Sequence, residues 1–291
     1  MTLTAQSDVG RLRRVVVKHV RDAFVDEAAI DRQWRDLNYY GRPDLPRAVG
    51  EYDSFVELMS RFGIAVDFLP VDTKVGMDSL YPRDTTITTD RGVILCNMGK
   101  PQRRTEPEAI AAFLRLRQTK ILGTITGTGS IEGGDVTWLD PRTLAVGRGY
   151  RTNDEGIRQL KQLLGPEVDV ITVPLPHWKG PGDVFHLMSM ISPLDPDLAV
   201  VYSPLLPVPF REMLLARGMR LVEVPEEEFE GMGCNILALA PRTCAMRTGL
   251  PKTRQRLIEA GIEVHEFAGE EICGRGAGGP TCMTRPLQWE L

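Results

Sequence analysis

Little in this sequence would staple the chain from outside or hold it to a charged surface. The five cysteines, Cys96, Cys234, Cys244, Cys273 and Cys282, are odd in number and contain no close pair, which argues against a disulfide framework. There is no Cys-x-x-Cys, and the four histidines, His19, His177, His186 and His265, include no pair at metal-ligand spacing, so no zinc site is expected. A basic surplus is missing too: 35 Lys plus Arg against 39 Asp plus Glu leave a net charge of −4, which gives no electrostatic footing on nucleic acid or an anionic membrane. No run approaches the roughly 18 apolar residues of a membrane span. The opening Met-Thr-Leu-Thr-Ala-Gln-Ser-Asp carries neither a basic nor an apolar leader region, and the expectation is a cytoplasmic protein with a small-molecule partner. Nor is there a low-complexity linker. With 42% of its residues hydrophobic, the chain 1–291 reads as one domain able to bury its own core.

What is present begins with punctuation. Near the end, Gly-Arg-Gly-Ala-Gly-Gly-Pro-Thr-Cys-Met-Thr spans 274 to 284, and a cysteine after such a glycine-dense loop sits on backbone that can approach a ligand closely. Alone, Cys282 would be a small buried hydrophobe; its upstream companions change that reading. A strand from Leu12 to His19 is followed by five repeats of helix, stop and strand. Pro46 to Phe62 reads as helix, Gly63 as its stop and Ile64–Pro70 as a strand. Thr105-Glu106-Pro107-Glu108 has the form of a capping box opening a helix to about Gln118, before the strand Lys120–Leu122. Asn153 caps a helix through Leu164, stopped by Gly165, before Val168–Val173. Helices from Pro209 to Gly218 and from Pro251 to Gly261 precede the strands Met219–Val224 and Ile262–Phe267. A short loop carrying a polar residue follows each strand: Asp84, Glu132, His186, Asn235 and Cys282, at separations of 48, 54, 49 and 47 residues. Spacing that regular marks an internal repeat, and equivalent points of repeated units meet if the units close into a ring.

A thiol, a histidine and a carboxylate at one place supply a nucleophile, a proton shuttle and an orienting group. The thiolate is the reactive form, so a cation beside Cys282 has to help it ionise at neutral pH. With Glu132 and Asp84 facing the same cavity, the site prefers a planar cation, and a guanidinium offers donors matched to carboxylates.

The ordered motifs Tyr81-Pro82-Arg83-Asp84, Ile131-Glu132-Gly133-Gly134-Asp135, Gly149-Tyr150-Arg151-Thr152-Asn153, Phe185-His186-Leu187, Asn235-Ile236-Leu237 and Gly278-Gly279-Pro280-Thr281-Cys282-Met283-Thr284 resemble the guanidino-group-modifying superfamily of the pentein fold. Arginine deiminases, dimethylarginine dimethylaminohydrolases and amidinotransferases belong to it, and the resemblance runs from about residue 12 to residue 287. It implies an α/β fold, a five-bladed propeller of ββαβ modules with pseudo-fivefold symmetry. It also implies that Cys282 attacks the guanidinium carbon to form an amidino-thioether, that His186 moves the protons and that Glu132 orients His186. Asp84 would hold the guanidinium nitrogens, and Arg151, with Arg104 as a second candidate, would bind a substrate carboxylate. Asp135 is expected to help at the site as a further substrate contact, whereas Asn235 is read as a loop-structuring side chain. The superfamily requires no metal or organic cofactor, and a homodimer is compatible with it.

Two positions after the histidine, deiminases and amidinotransferases usually carry an aspartate; here stands Met188. A thioether there suits a guanidine bearing an apolar substituent, such as an N-methylated arginine. In size the chain is closest to the dimethylarginine hydrolases, while its Gly-Gly-Pro-Thr-Cys-Met-Thr is more deiminase-like. The first expectation is therefore a hydrolase of a guanidino C–N bond in arginine or an omega-substituted arginine. Amidino transfer and arginine dihydrolysis share its first step. The same fold also serves as a ribosome-binding factor without catalysis, against which stand Cys282, His186 and Glu132 together.

Overall fold

The computed structural model describes residues 2–183 and 185–291. Four successive stretches fold alike. Thr86–Thr89 and Gly92–Leu95 pair antiparallel, the helix Glu106–Leu116 crosses over, and Ile121–Thr124 returns parallel to the second strand. The same order recurs in Val136–Asp140, Thr143–Arg148, helix Asp154–Leu164 and Asp169–Pro174. It recurs again in Ile191–Asp195, Leu198–Val201, helix Val208–Ala216 and Arg220–Glu223, and in Leu237–Ala240, Thr243–Arg247, helix Pro251–Glu259 and Glu263–Phe267. A parallel return needs a crossover of this kind, because a tight turn can join only antiparallel neighbours.

The fifth module is assembled from both ends of the chain. Arg285–Glu290 supplies its first strand, antiparallel to Arg11–Val17, followed by helix Leu45–Arg61 and the parallel strand Ala65–Phe68. Leu3–Thr4 adds a short edge strand to Arg285–Glu290. Five small sheets thus form the five-module, propeller-like α/β fold. In each module the polar residue of the repeat lies just before the first strand, so Asp84, Glu132, His186, Asn235 and Cys282 all sit at equivalent sheet ends.

Local sequence explains most element boundaries. Helix Leu45–Arg61 buries Ala48, Tyr52, Phe55, Leu58 and Met59, the 3–4 spacing of one helical face. Asn153 caps its helix by accepting the Gly156 N–H at 2.8 Å, and Gly165 ends it with φ +73°, a conformation that favours glycine. The expected capping box at Thr105 does not form. Thr105 itself is helical in φ/ψ and donates its hydroxyl to the Lys74 carbonyl at 2.6 Å, while Glu108, the other partner of the box, accepts from Arg115 at 2.5 Å. The first strand ends at Val17, and His19 instead caps the short helix Val20–Phe24. Among the described residues no helix is long and apolar enough to cross a membrane.

Candidate active site

The equivalent sheet ends converge on a cavity of about 900 Å³, open mouth included, lined by Asp84, His186, Met188, Asn235 and Cys282. Its outer wall is aromatic and charged: Tyr40, Trp178, Lys179, Asp183, Phe229 and Glu230. Buried Glu132 stands behind His186, its Oε2 2.7 Å from Nε2. The other ring nitrogen, Nδ1, lies 3.8 Å from Asp84 Oδ1. Gly134 permits this approach, since a Cβ there would come within 2.4 Å of Nδ1 and 2.6 Å of Asp84 Oδ1.

Asp84 is held from one side only. Arg103 Nη1 donates to Oδ2 at 2.5 Å, whereas Oδ1 is buried without a hydrogen-bond partner. A buried carboxylate oxygen left unpaired carries a desolvation cost that a cationic donor would relieve. Arg103 is otherwise engaged by Glu106 and the Tyr81 carbonyl. Arg151 is more loosely held, 3.5 Å from Glu132 Oε2 and 3.4 Å from the Asp183 carbonyl.

Electrostatics set the protonation states. Burial alone would lower the His186 pKa, but Asp84, Asp135 and Glu132 outweigh it and hold it at about 9. Glu132 is depressed although burial opposes this, because His186 and Arg151 favour its charged form. Burial pushes the Cys282 thiol up to about 11, with Asp84 adding to the rise and the Asn235 and Gly279 donors opposing it. Without a ligand the cavity therefore favours a thiol facing an imidazolium, and a cation held by Asp84 would draw the thiol toward ionisation. Asp84, Glu132 and His186 also offer ligand atoms within 4.8 Å of one another, close enough for a metal ion. Arg103 and Arg151 already answer the two carboxylates, and that arrangement suits a flat monovalent cation better than a divalent ion.

Two expected substrate contacts are placed elsewhere. Arg104 is exposed and outside the cavity lining; its neighbour Arg103, the last residue of the 3-10 turn Pro101–Arg103, faces inward instead. Asp135 is fully buried and lines no part of the cavity, accepting from Thr152 Oγ1 at 2.6 Å and the Leu187 N–H at 3.0 Å. It braces the segment after His186. The glycines of the 274–284 loop also differ in use from the expectation. Missing Cβ atoms at Gly276 and Gly278 make room for Tyr81, and the one at Gly279 for Asn235, so protein side chains take that space. Arg103, Lys100 and Asp78 line the cavity without any sequence signal beyond their type.

Fold and cavity define a class of protein, the guanidino-group-modifying enzymes of the pentein fold. A family model described as N,N dimethylarginine dimethylhydrolase, eukaryotic, matches residues 25–289, and the chain belongs to that family. It is similar to the N(G),N(G)-dimethylarginine dimethylaminohydrolase of Streptomyces coelicolor, at 28% identity over 273 residues, 90% of each chain. The fold is shared with DDAH from Pseudomonas aeruginosa complexed with citrulline, at TM-score 0.76 and 22% identity over 96% of this chain and all of that one. An amidinotransferase of Microseira wollei superposes at TM-score 0.79 and 16% identity, over 97% and 96% of the two chains. The family model and the relative make this chain a guanidino-group-modifying enzyme.

Proposed function

We propose that the protein hydrolyses the guanidino C–N bond of an omega-N-substituted arginine, such as a dimethylarginine, through a covalent intermediate on Cys282. The observation that carries this reading is the unpartnered Asp84 Oδ1 in a cavity shared by Cys282 and His186. A guanidinium seated there donates to Asp84 and offsets its charge, which brings the thiol down from about 11. The thiolate adds to the guanidinium carbon; the departing nitrogen takes its proton from the His186 imidazolium and leaves as the amine. Neutral His186 then removes a proton from the attacking water. Collapse of the second tetrahedral adduct breaks the C–S bond, returns the thiolate and leaves a ureido product, whose shed proton converts the released amine to ammonium. Arg151, with long contacts only, is the cation available for a substrate carboxylate.

Met188, 2% exposed, supports the preference for a substituted guanidine. With Phe185, which also lines the cavity, it offers apolar surface against which methyl groups gain on the order of 0.8 kcal/mol each by leaving water. Cys282→Ser should lower kcat at least about a thousandfold, and full activity in that variant would end the covalent mechanism. A panel of arginine, methylated arginines and guanidino acids, with ammonia, alkylamine and ureido product identified, tests the substrate. Arginine turned over as efficiently as its methylated forms would overturn the preference. Product formation that requires an added acceptor amine would mark amidino transfer.

A further inference from the structure

Asn235 occupies the fourth equivalent sheet end and faces the nucleophile. Its Nδ2 donates to Cys282 Sγ at 3.0 Å, and its Oδ1 accepts the Thr281 N–H at 3.1 Å and the Thr281 hydroxyl. The side chain is 6% exposed, and Gly279 leaves the space it fills, since a Cβ there would come within 2.4 Å of Oδ1.

Which end of an amide faces which partner is ordinarily an assignment made from the hydrogen-bond network. Here the network allows one answer. The Thr281 backbone N–H can only donate, so it needs Oδ1, and the NH2 group is left directed at the sulphur. A neutral dipole thus points its positive end at Sγ from a fixed mount two residues before the strand Leu237–Ala240.

We infer that Asn235 is the positioning residue of Cys282, one that both braces the nucleophile's turn and stabilises its thiolate by donating to Sγ. The inference deepens the reading above and rests on Cys282 being the nucleophile. An ordinary way to activate a thiol is a cation beside it, but a further cation at Sγ would repel an arriving guanidinium. A fixed amide stabilises the thiolate and adds no net charge to the cavity. Among the groups acting on the thiol, Asn235 is the side-chain donor that opposes burial and Asp84.

The two roles of Asn235 predict opposite signs, which makes the assignment testable without substrate. If it only braced the turn, its removal would let water reach the sulphur, and the thiol pKa would stay or fall, because burial is what raises it. If it donates to the thiolate, its removal raises that pKa. Alkylation of Cys282 by iodoacetamide, followed by mass spectrometry across pH, is the measurement, in the full-length wild type and in the near-isosteric Asn235→Leu. The expected result is an alkaline shift of about one pH unit, the worth of one hydrogen bond to a charged group. Should Asn235→Leu not fold, the smaller Asn235→Val carries the same test. An unchanged or acid-shifted profile in a folded variant overturns the inference. Because alkylation needs no turnover, that result stays separate from failure of the proposed reaction, which would show as wild-type protein that alkylates at Cys282 and cleaves no guanidine.

Discussion

His186 and Cys282 sit in an unusual order of acidity: the imidazole near 9 and the thiol near 11. The reactive pair, imidazolium with thiolate, is then the minority form of the free enzyme at neutral pH. Because kcat/KM reports the free enzyme, it should rise with pH, reach half its maximum near pH 9, peak near pH 10 and fall again near pH 11. These limbs belong to the coupled pair and not to either residue alone. In kcat the acid limb should move to lower pH, since bound guanidinium at Asp84 lowers the thiol. A kcat/KM profile already flat at pH 7 would mean that the thiol ionises before substrate arrives. The sign for stability follows from the same shift. A histidine raised from 6.5 to about 9 stabilises the fold fully below pH 6.5, and that contribution is lost as pH climbs through 9. At this scale the sequence was legible where side-chain type and repeat position coincide, as at Cys282, His186, Glu132 and Asp84. It was not legible between Arg103 and Arg104, identical neighbours at the end of the 3-10 turn Pro101–Arg103, where only the direction of the turn decides which faces the cavity.

The turn Gly133–Asp135 shows why a motif can be visible while its two glycines stay indistinguishable. A Cβ at Gly133 would meet backbone, Arg83 O at 2.1 Å and Thr86 O at 2.7 Å, whereas one at Gly134 would meet the side chains of His186 and Asp84. Backbone fixed in the 3-10 turn Pro82–Thr85 and the strand it enters cannot yield, but side chains can rotate. Gly133→Ala should therefore cost stability, lowering the melting temperature by several degrees and the yield of folded protein. Gly134→Ala should fold and lose about a hundredfold in kcat/KM, the order expected when reacting groups shift by about an ångström. Thermal unfolding and initial rates on the same preparations separate the two, and equal effects on both properties would refute the division. The failed capping box at Thr105 has a related cause. Its local pattern was intact, but the Lys74 carbonyl took the Thr105 hydroxyl and Arg115 took the Glu108 carboxylate, and these partners outweighed the local rule.

Across the whole molecule, the repeats were readable because each helix carries its own stop and each strand its own apolar run. The strands that close the ring were not, because pairing Arg285–Glu290 with Arg11–Val17 joins residues at opposite ends of the chain and leaves no local mark. Asp8 was equally silent, yet it ties three modules together. Its Oδ1 accepts from Arg83 Nη2 at 2.5 Å, at the entrance to the first module. Its Oδ2 accepts from Thr137 Oγ1 at 3.1 Å and the Trp138 N–H at 2.7 Å, in the second. Asp8 itself lies on the segment leading into Arg11–Val17. Arg83 is 2% exposed and Arg285 4%, and burial together with Arg83 pushes Arg285 down to about 9, so Asp8 answers more than one buried cation. Removing one partner of a buried pair costs more than the pair contributes, since the other charge stays desolvated. Asp8→Ala should thus destabilise by about 3–5 kcal/mol in urea unfolding. Arg83→Met in the Asp8→Ala background should recover part of that loss, because the uncompensated charge leaves with the arginine. A loss below about 1 kcal/mol in the single variant would mean that Arg83 finds another acceptor and that Asp8 adds little to holding the ring together.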